Sequence, residues 1–335
     1  MSDHSDRARE IARFVAAAGW GEAARSPLAG DASNRRYERL SRLGGQTAIL
    51  MDAAPDHAED VRAFVRIAGI LAGAGLSPPR ILAENLGAGL LLLEDLGDDL
   101  FARLLELHPG KEPELYRAAI DCLAELHIAA PPADLQRLDA AHLADIAILP
   151  WQWYAEKPAA AATAEMKARL TDLFATLSPG PDVLVLRDFH AENLIWLPGR
   201  ARAARVGLLD FQDAKAGHRA YDVVSLLTDA RRDIAPALRA DMEAAYCRRA
   251  DLDPARFARD TAILGVQRNL RILGVFARLS LRDGKPGYVD LVPRVWKYLA
   301  RDLAHPALCD IGPRITASLP EPAGDVLSRL RGAHP

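Results

Sequence analysis

Two hydrophobic patterns alternate along this chain. Short, mostly apolar runs occupy 47–51, 89–93, 183–186, 194–197 and 206–209, with a further start at 81–82. They are bounded by Gly, Pro, Asn and Asp, and so predict buried strands. Elsewhere apolar residues return every three or four positions, which predicts helices. Residues 5–19 carry Ile11, Phe14 and Val15 on one face and stop at Gly19. Residues 57–75 carry Val61, Phe64, Val65, Ala68 and Leu71, and residues 113–130 carry Leu115, Ala119, Cys122, Leu123 and Leu126. Further helices are expected at 234–250, 255–283 and 287–304, with a weakly packed one after Pro320. Gly44-Gly45 closes a hairpin between an alternating strand that carries Tyr37 and Leu40, on different faces unless a bulge intervenes, and the returning run 47–51. Strands dominate to residue 95 and helices follow from 100. The expected class is therefore α+β, with a small antiparallel-sheet lobe at 1–95 and a larger, mainly helical lobe at 96–335.

The stretch 184–213 carries the chemistry. The strand 183–186 ends in a loop with Asp188, His190, Glu192 and Asn193, the next strand follows at once, and the strand 206–209 ends at Asp210. Phosphoryl transfer from ATP needs one carboxylate to orient the attacking hydroxyl and accept its proton. It also needs an amide and a second carboxylate to hold Mg²⁺ against the phosphates. Asp188 fits the first role, and Asn193 and Asp210 fit the second. Asp-x4-Asn followed by Asp-Phe-x, with the two aspartates 22 residues apart, is the catalytic-loop and metal-loop pair of the kinase superfamily. The competing reading is a charged surface hairpin.

Other positions fill in around this pair. Gly30-Asp-Ala-Ser33-Asn34 is a turn whose small residues let backbone amides approach phosphate oxygens, and Arg35 and Arg36 add positive charge beside it. Backbone groups of Glu94–Leu96 are placed to pair with a nucleobase edge, and Asp98 or Asp99 to cap the following helix. Asp222 opens an apolar helix, which suits an N-cap or a buried brace for the catalytic loop. His127, at a helix end, reads as structural. Trp153, beside Trp151 and Tyr154, offers an aromatic face to a sugar or a place in an interhelical core. Arg268 and Arg271 lie in Gln267-Arg-Asn-Leu-Arg271, polar groups inside a strongly apolar helix. Such groups must be paired, with neighbouring helices or with an anionic or hydroxyl-rich substrate. His190 and Glu192 flank the base and are candidates for sugar hydroxyls.

Composition narrows the field. With 335 residues, half of them hydrophobic, the chain is long enough for one large domain or two lobes. A net charge of −3 gives no reason to expect nucleic acid or a membrane surface as a partner. Cys122, Cys247 and Cys309 form no metal or disulfide spacing. The polar N-terminus and the absence of a long apolar run predict a cytoplasmic protein. The oligomeric state is left open by the sequence, with a monomer favoured.

With these residues in view, the chain resembles the aminoglycoside phosphotransferase/choline-kinase-like family. Within it, the closest likeness is to the anomeric N-acetylmuramate/N-acetylglucosamine kinases of peptidoglycan recycling. The likeness is carried by Gly-Asp-Ala-Ser-x-Arg-Arg-Tyr (30–37), Met-Asp-Ala (51–53), Leu-Leu-Glu-Asp-Leu-Gly (92–97), Leu-Arg-Asp-Phe-His-Ala-Glu-Asn-Leu (186–194), Leu-Leu-Asp-Phe-Gln-Asp-Ala (208–214) and Gln-Arg-Asn-Leu-Arg-Ile-Leu-Gly (267–274). It implies a two-lobed protein-kinase-like fold, ATP between the lobes, Asp188 as base, Asn193 and Asp210 on Mg²⁺, and a small amino-sugar acceptor. Departures from the wider kinase pattern are Leu186 before Arg-Asp, Gln212 in the metal loop, and Met51 where the phosphate-pairing lysine usually stands. Arg35 or Arg36 would then supply the missing cation. The alternatives are another acceptor (an aminoglycoside, choline or homoserine) or a nucleotide-binding protein without turnover.

Overall fold

The computed structural model describes residues 2–28, 35–54, 61–156 and 159–332. Its elements run α1 (Ser2–Ala17), β1 (Ala24–Leu28), β2 (Arg36–Ser41), β3 (Thr47–Asp52), α2 (Val61–Gly73), β4 (Ile81–Asn85), β5 (Leu90–Glu94), α3 (Phe101–Leu107), α4 (Glu112–Leu126), α5 (Ala140–Ala147), α6 (Leu149–Trp153), α7 (Ala160–Ala175), β6 (Val183–Val185), β7 (Leu194–Trp196), β8 (Val206–Leu208), β9 (Lys215–Gly217), α8 (Ala220–Leu227), α9 (Pro236–Ala250), α10 (Pro254–Leu281), α11 (Val292–Leu303), α12 (Gly312–Ser318) and α13 (Gly324–Leu330). This is the expected α+β class. The chain divides into two compact units, Met1–Cys122 with Glu192–Asp213, and Leu123–Ala191 with Ala214–Pro335.

The first unit is built on an antiparallel sheet of five strands in the order β1-β2-β3-β5-β4. Its period of two sends Leu40, Ala48, Leu50, Leu90 and Leu92 to one face, where Ile11, Val15 and Trp20 cover them. Asp52 shares that face and accepts a hydrogen bond from Arg7 Nε of α1 at 3.2 Å. Met51 and Leu91, on the other face, are buried as well. The β7–β8 ribbon belongs to the same unit. Leu208 N donates to Ser77 O at 2.9 Å, and Trp196 N to Asp99 O at 2.8 Å. The sequence boundary at 95/96 marks the change from sheet to helix. The unit extends beyond it because these backbone hydrogen bonds bind the ribbon to the sheet side of the chain.

The second unit is organised by α10, 28 residues long and about 42 Å at 1.5 Å per residue. Its polar insertions are spent on neighbours. Gln267 Nε2 donates to Leu143 O at 3.3 Å, and Asn269 Nδ2 to Asp302 Oδ2 at 3.1 Å. The unit's only described strand pair, β6 with β9, places Val183 opposite Gly217. Cys122 of the first unit and Cys247 of the second are buried, while Cys309 is exposed. Among the described residues, no helix is long and apolar enough to cross a membrane.

Several expectations change. Strand β1 was not expected. It is an edge strand, where Pro27 removes no interior ladder bond. The three strands expected within 183–209 are present, but a fourth, β9, was not expected: β7 pairs with β8, and β6 with β9. Neither Asp98 nor Asp99 caps α3. Leu100 precedes the helix without a side-chain cap, and Asp98 is engaged by Arg39 instead. The run 143–154 is two helices, α6 restarting with Pro150 in its first turn. The terminal helix α13 is well packed. Val326 and Leu330 are buried, and Ser280 Oγ of α10 donates to Leu330 O at 2.7 Å.

Candidate active site

In the second unit, β6 delivers the chain into a loop whose backbone is held at several points. Asp222, fully buried on α8, accepts from Leu186 N at 2.6 Å and from Arg187 N at 2.9 Å. Burial pushes its carboxyl up to about 7, against the two amide donors, which pull it down. It braces the loop and does not cap α8, whose N-cap position is Arg219. Arg187 adopts a left-handed φ of 74°. Its carbonyl accepts from Arg268 Nη1 at 2.9 Å and from Ser225 Oγ at 3.2 Å. A left-handed non-glycine residue costs of the order of 1–3 kcal/mol, and these contacts at both ends of the residue maintain it.

Asp188 follows directly. Its side chain is 30% exposed, and Oδ1 lies 3.7 Å from Arg271 Nη1. Burial raises its pKa, but Arg271, Arg268, His190 and Arg187 outweigh that effect and hold the carboxyl below its ordinary value. Asp188 is thus an accessible, ionised carboxylate at the end of a fixed backbone. Burial lowers the pKa of His190, partly opposed by the Asp229 carboxylate. Its Nδ1 is buried with no hydrogen-bond partner among the described residues.

The first unit holds the other two central residues. Asn193 immediately precedes β7, and Asp210 follows β8 by two residues. Leu209 N donates to Asn193 O at 3.0 Å, so the amide and the carboxylate emerge from neighbouring strand ends. Asp210 is exposed, has a φ of 54°, and accepts at Oδ1 from Gln212 Nε2 at 2.8 Å. Phe211 anchors this turn against Phe64 of α2, with ring centroids 4.7 Å apart. Two hard oxygen donors suit Mg²⁺, which keeps water and phosphate among its ligands. Among the described residues, no cluster of three or more His, Cys, Asp or Glu is placed to bind a metal by itself.

The remaining candidates are distributed unevenly. Ser33 and Asn34 lie outside the described residues. Arg35 is buried. Arg36 is exposed and pairs across the ladder with Asp52, on the α1 face. The Glu94 carboxylate binds Arg200 at 2.7 Å and Arg80 at 3.2 Å, and its amide donates to Arg80 O at 2.8 Å. Leu96 packs on Gly207, where a Cβ would stand 3.0 Å from Leu96 Cδ1. Glu192 is exposed. Trp153 lies under the Arg282 guanidinium, 6.0 Å from its ring centre, and Arg282 is eleven residues beyond Arg271 along the helical stretch, about 16 Å. The structure therefore gathers Asp188, His190, Arg268 and Arg271, and does not bring Trp153 to them. Ser225 escaped the sequence reading. Its signal is the one-turn spacing from Asp222 on the same helix face.

The family model APH, the phosphotransferase enzyme family, matches residues 24–258. A curated protein of Caulobacter vibrioides named N-acetylmuramate/N-acetylglucosamine kinase is 42% identical, over 93% of this chain and 96% of its own length. One of the same name from Pseudomonas aeruginosa is 37% identical, over 93% and 94%. Among solved structures, a choline/ethanolamine kinase family protein from Mesorhizobium loti has a TM-score of 0.62 at 13% identity, covering 99% of both chains. A thermostable aminoglycoside phosphotransferase in complex with ADP and hygromycin B has a TM-score of 0.62 at 14% identity, covering 88% of this chain and 99% of its own. The fold is the kinase-like one that the sequence resemblance implies. With the family model spanning most of the chain, this protein belongs to the phosphotransferase enzyme family.

Proposed function

We propose that this enzyme transfers the γ-phosphoryl group of ATP to the anomeric hydroxyl of N-acetylmuramate and N-acetylglucosamine. The observation that supports the chemistry is Asp188, a part-exposed carboxylate held ionised on a loop that Asp222, Ser225 and Arg268 fix in place. The acceptor class is supported by the curated relatives. In this reading Asp188 accepts a hydrogen bond from the anomeric hydroxyl and takes its proton. The oxygen forms a bond to the γ-phosphorus as the bond to the β-phosphate oxygen breaks, and ADP leaves. The ionised carboxylate is the form that can accept the hydroxyl's hydrogen bond, orient it and take its proton. His190 Nδ1, buried and without a described partner, gains one from a sugar hydroxyl. Asn193 and Asp210 would hold Mg²⁺, which neutralises phosphate charge when bound.

For the triphosphate, β3 offers Met51 and no lysine. Ladder register puts Arg36 on the same face as Asp52 and α1, which leaves Arg35, the residue just before β2, as the other candidate cation. We assign the phosphate-pairing role to Arg35. The adenine edge is left to the Glu94 carbonyl and the Leu96 amide, because the Glu94 amide already donates to Arg80. The test is an ADP-release screen with Mg-ATP over N-acetylmuramate, N-acetylglucosamine, choline and an aminoglycoside. Turnover with the two amino sugars is expected. Nucleotide binding without turnover on any acceptor would support the inactive alternative.

A further inference from the structure

We propose that Arg268 and Arg271, one turn apart on α10, have separate tasks: Arg268 positions the loop carrying Asp188, and Arg271 discriminates an acidic acceptor from a neutral one. The inference rests on the amino-sugar reading above.

Arg268 is sealed from solvent, with 4% of its surface exposed. Its Nη1 hydrogen bond goes to the carbonyl of Arg187, the residue whose left-handed conformation aims the next side chain, Asp188. A sealed guanidinium committed to the protein backbone has little surface to offer an acceptor. What it fixes is the direction in which Asp188 leaves the loop, together with Ser225 on the same carbonyl and Asp222 on the Arg187 amide.

Arg271 is the more exposed of the two. Its side chain keeps 18% of its surface, and its contact with Asp188 is an ion pair at 3.7 Å, longer than a hydrogen bond. A guanidinium carries five N–H donors in a planar fork and can serve two carboxylates at once. An acceptor whose hydroxyl meets Asp188 is held within reach of this fork. N-acetylmuramate carries a carboxylate on its lactyl ether, and N-acetylglucosamine has a hydroxyl at that position. Arg271 therefore adds for the first sugar a hydrogen bond charged on both sides, where the second offers only a neutral hydroxyl.

The test measures kcat and KM for both sugars in the wild type, R271Q, R271K, R268M and R268K. A hydrogen bond between charged groups is worth roughly 1.5–3 kcal/mol, or about 10- to 150-fold in kcat/KM. R271Q should lower kcat/KM for both sugars, and should lower the N-acetylmuramate to N-acetylglucosamine ratio by about that factor, with R271K recovering part of it. R268M should reduce kcat for both sugars alike and leave the ratio at its wild-type value, with R268K recovering part of kcat. The ratio is taken within one preparation, so it does not depend on the folded fraction. An R271Q ratio equal to the wild type's, or a ratio that changes in R268M as it does in R271Q, overturns the division of tasks while the amino-sugar reading stands. A wild type that phosphorylates neither sugar overturns both. One that phosphorylates N-acetylglucosamine alone overturns this inference and removes N-acetylmuramate from the acceptors, while phosphotransfer to an amino sugar stands.

Discussion

At the scale of single residues, chemistry and burial are set against each other within a few ångströms. Asp188 is drawn toward the neutral form by burial and toward the anion by Arg271 and Arg268, and the cations prevail. Asp222 meets the same burial with backbone amides as its main compensation, and its carboxyl rises to about 7. Asp188, Asn193 and Asp210 could be read from the sequence because a strand, a charged loop and another strand form a local pattern. The Arg268 contact could not. Its acceptor is a carbonyl 81 residues away, exposed to it only by the left-handed turn at Arg187. His127 supplies a prediction at this scale. It lies 2.6 Å from the Tyr246 hydroxyl, and burial lowers its pKa from 6.5 to about 3. The unfolded chain takes up a proton as pH falls below 6.5, and the native state does not until pH nears 3. The stability contributed by neutral His127 is therefore present above pH 6.5 and lost as pH falls, at up to ~1.4 kcal/mol per unit. In urea unfolding, the stability gap between wild type and H127Q should narrow by about 2 kcal/mol from pH 7.5 to pH 5.0. An equal gap at both pH values would show that His127 is not held neutral.

At the scale of elements, helix α10 carries most of the second unit's constraints. At Gly274, a Cβ would stand 2.3 Å from Leu149 Cβ and 2.6 Å from the Leu149 carbonyl carbon. At Gly265, one would stand 2.2 Å from Asp302 Oδ2. Alanine is the better helix former by about 1 kcal/mol, yet overpacking at a backbone contact costs ~1–3 kcal/mol. Gly274→Ala should therefore destabilise the protein, read as a lower urea midpoint at unchanged m value. A midpoint at or above the wild type's would mean that α6 does not press on this glycine. The long helices were legible because their apolar period persists over several turns. Strands β1 and β9 were not, since a short strand is defined by its partner: Glu38 opposite Pro27, and Leu184 opposite Ala216. The polar run in α10 was legible as needing partners, but which partners depends on helix packing.

For the whole molecule, the change from sheet to helix near residue 95 was visible in hydrophobic periodicity. The assignment of 192–213 to the first unit was not, because it depends on backbone hydrogen bonds from the Ser77 and Asp99 segments. Family membership places the chain among phosphotransferases. The most direct test of this account is a single-turnover reaction of wild type and D188N with Mg-ATP and N-acetylmuramate, the product being assayed for acid hydrolysis. The account predicts an acid-labile anomeric phosphate from the wild type, formed roughly 10²–10⁴ times more slowly by D188N, as loss of a general base requires. An acid-stable product, or a D188N rate equal to the wild type's, would contradict it.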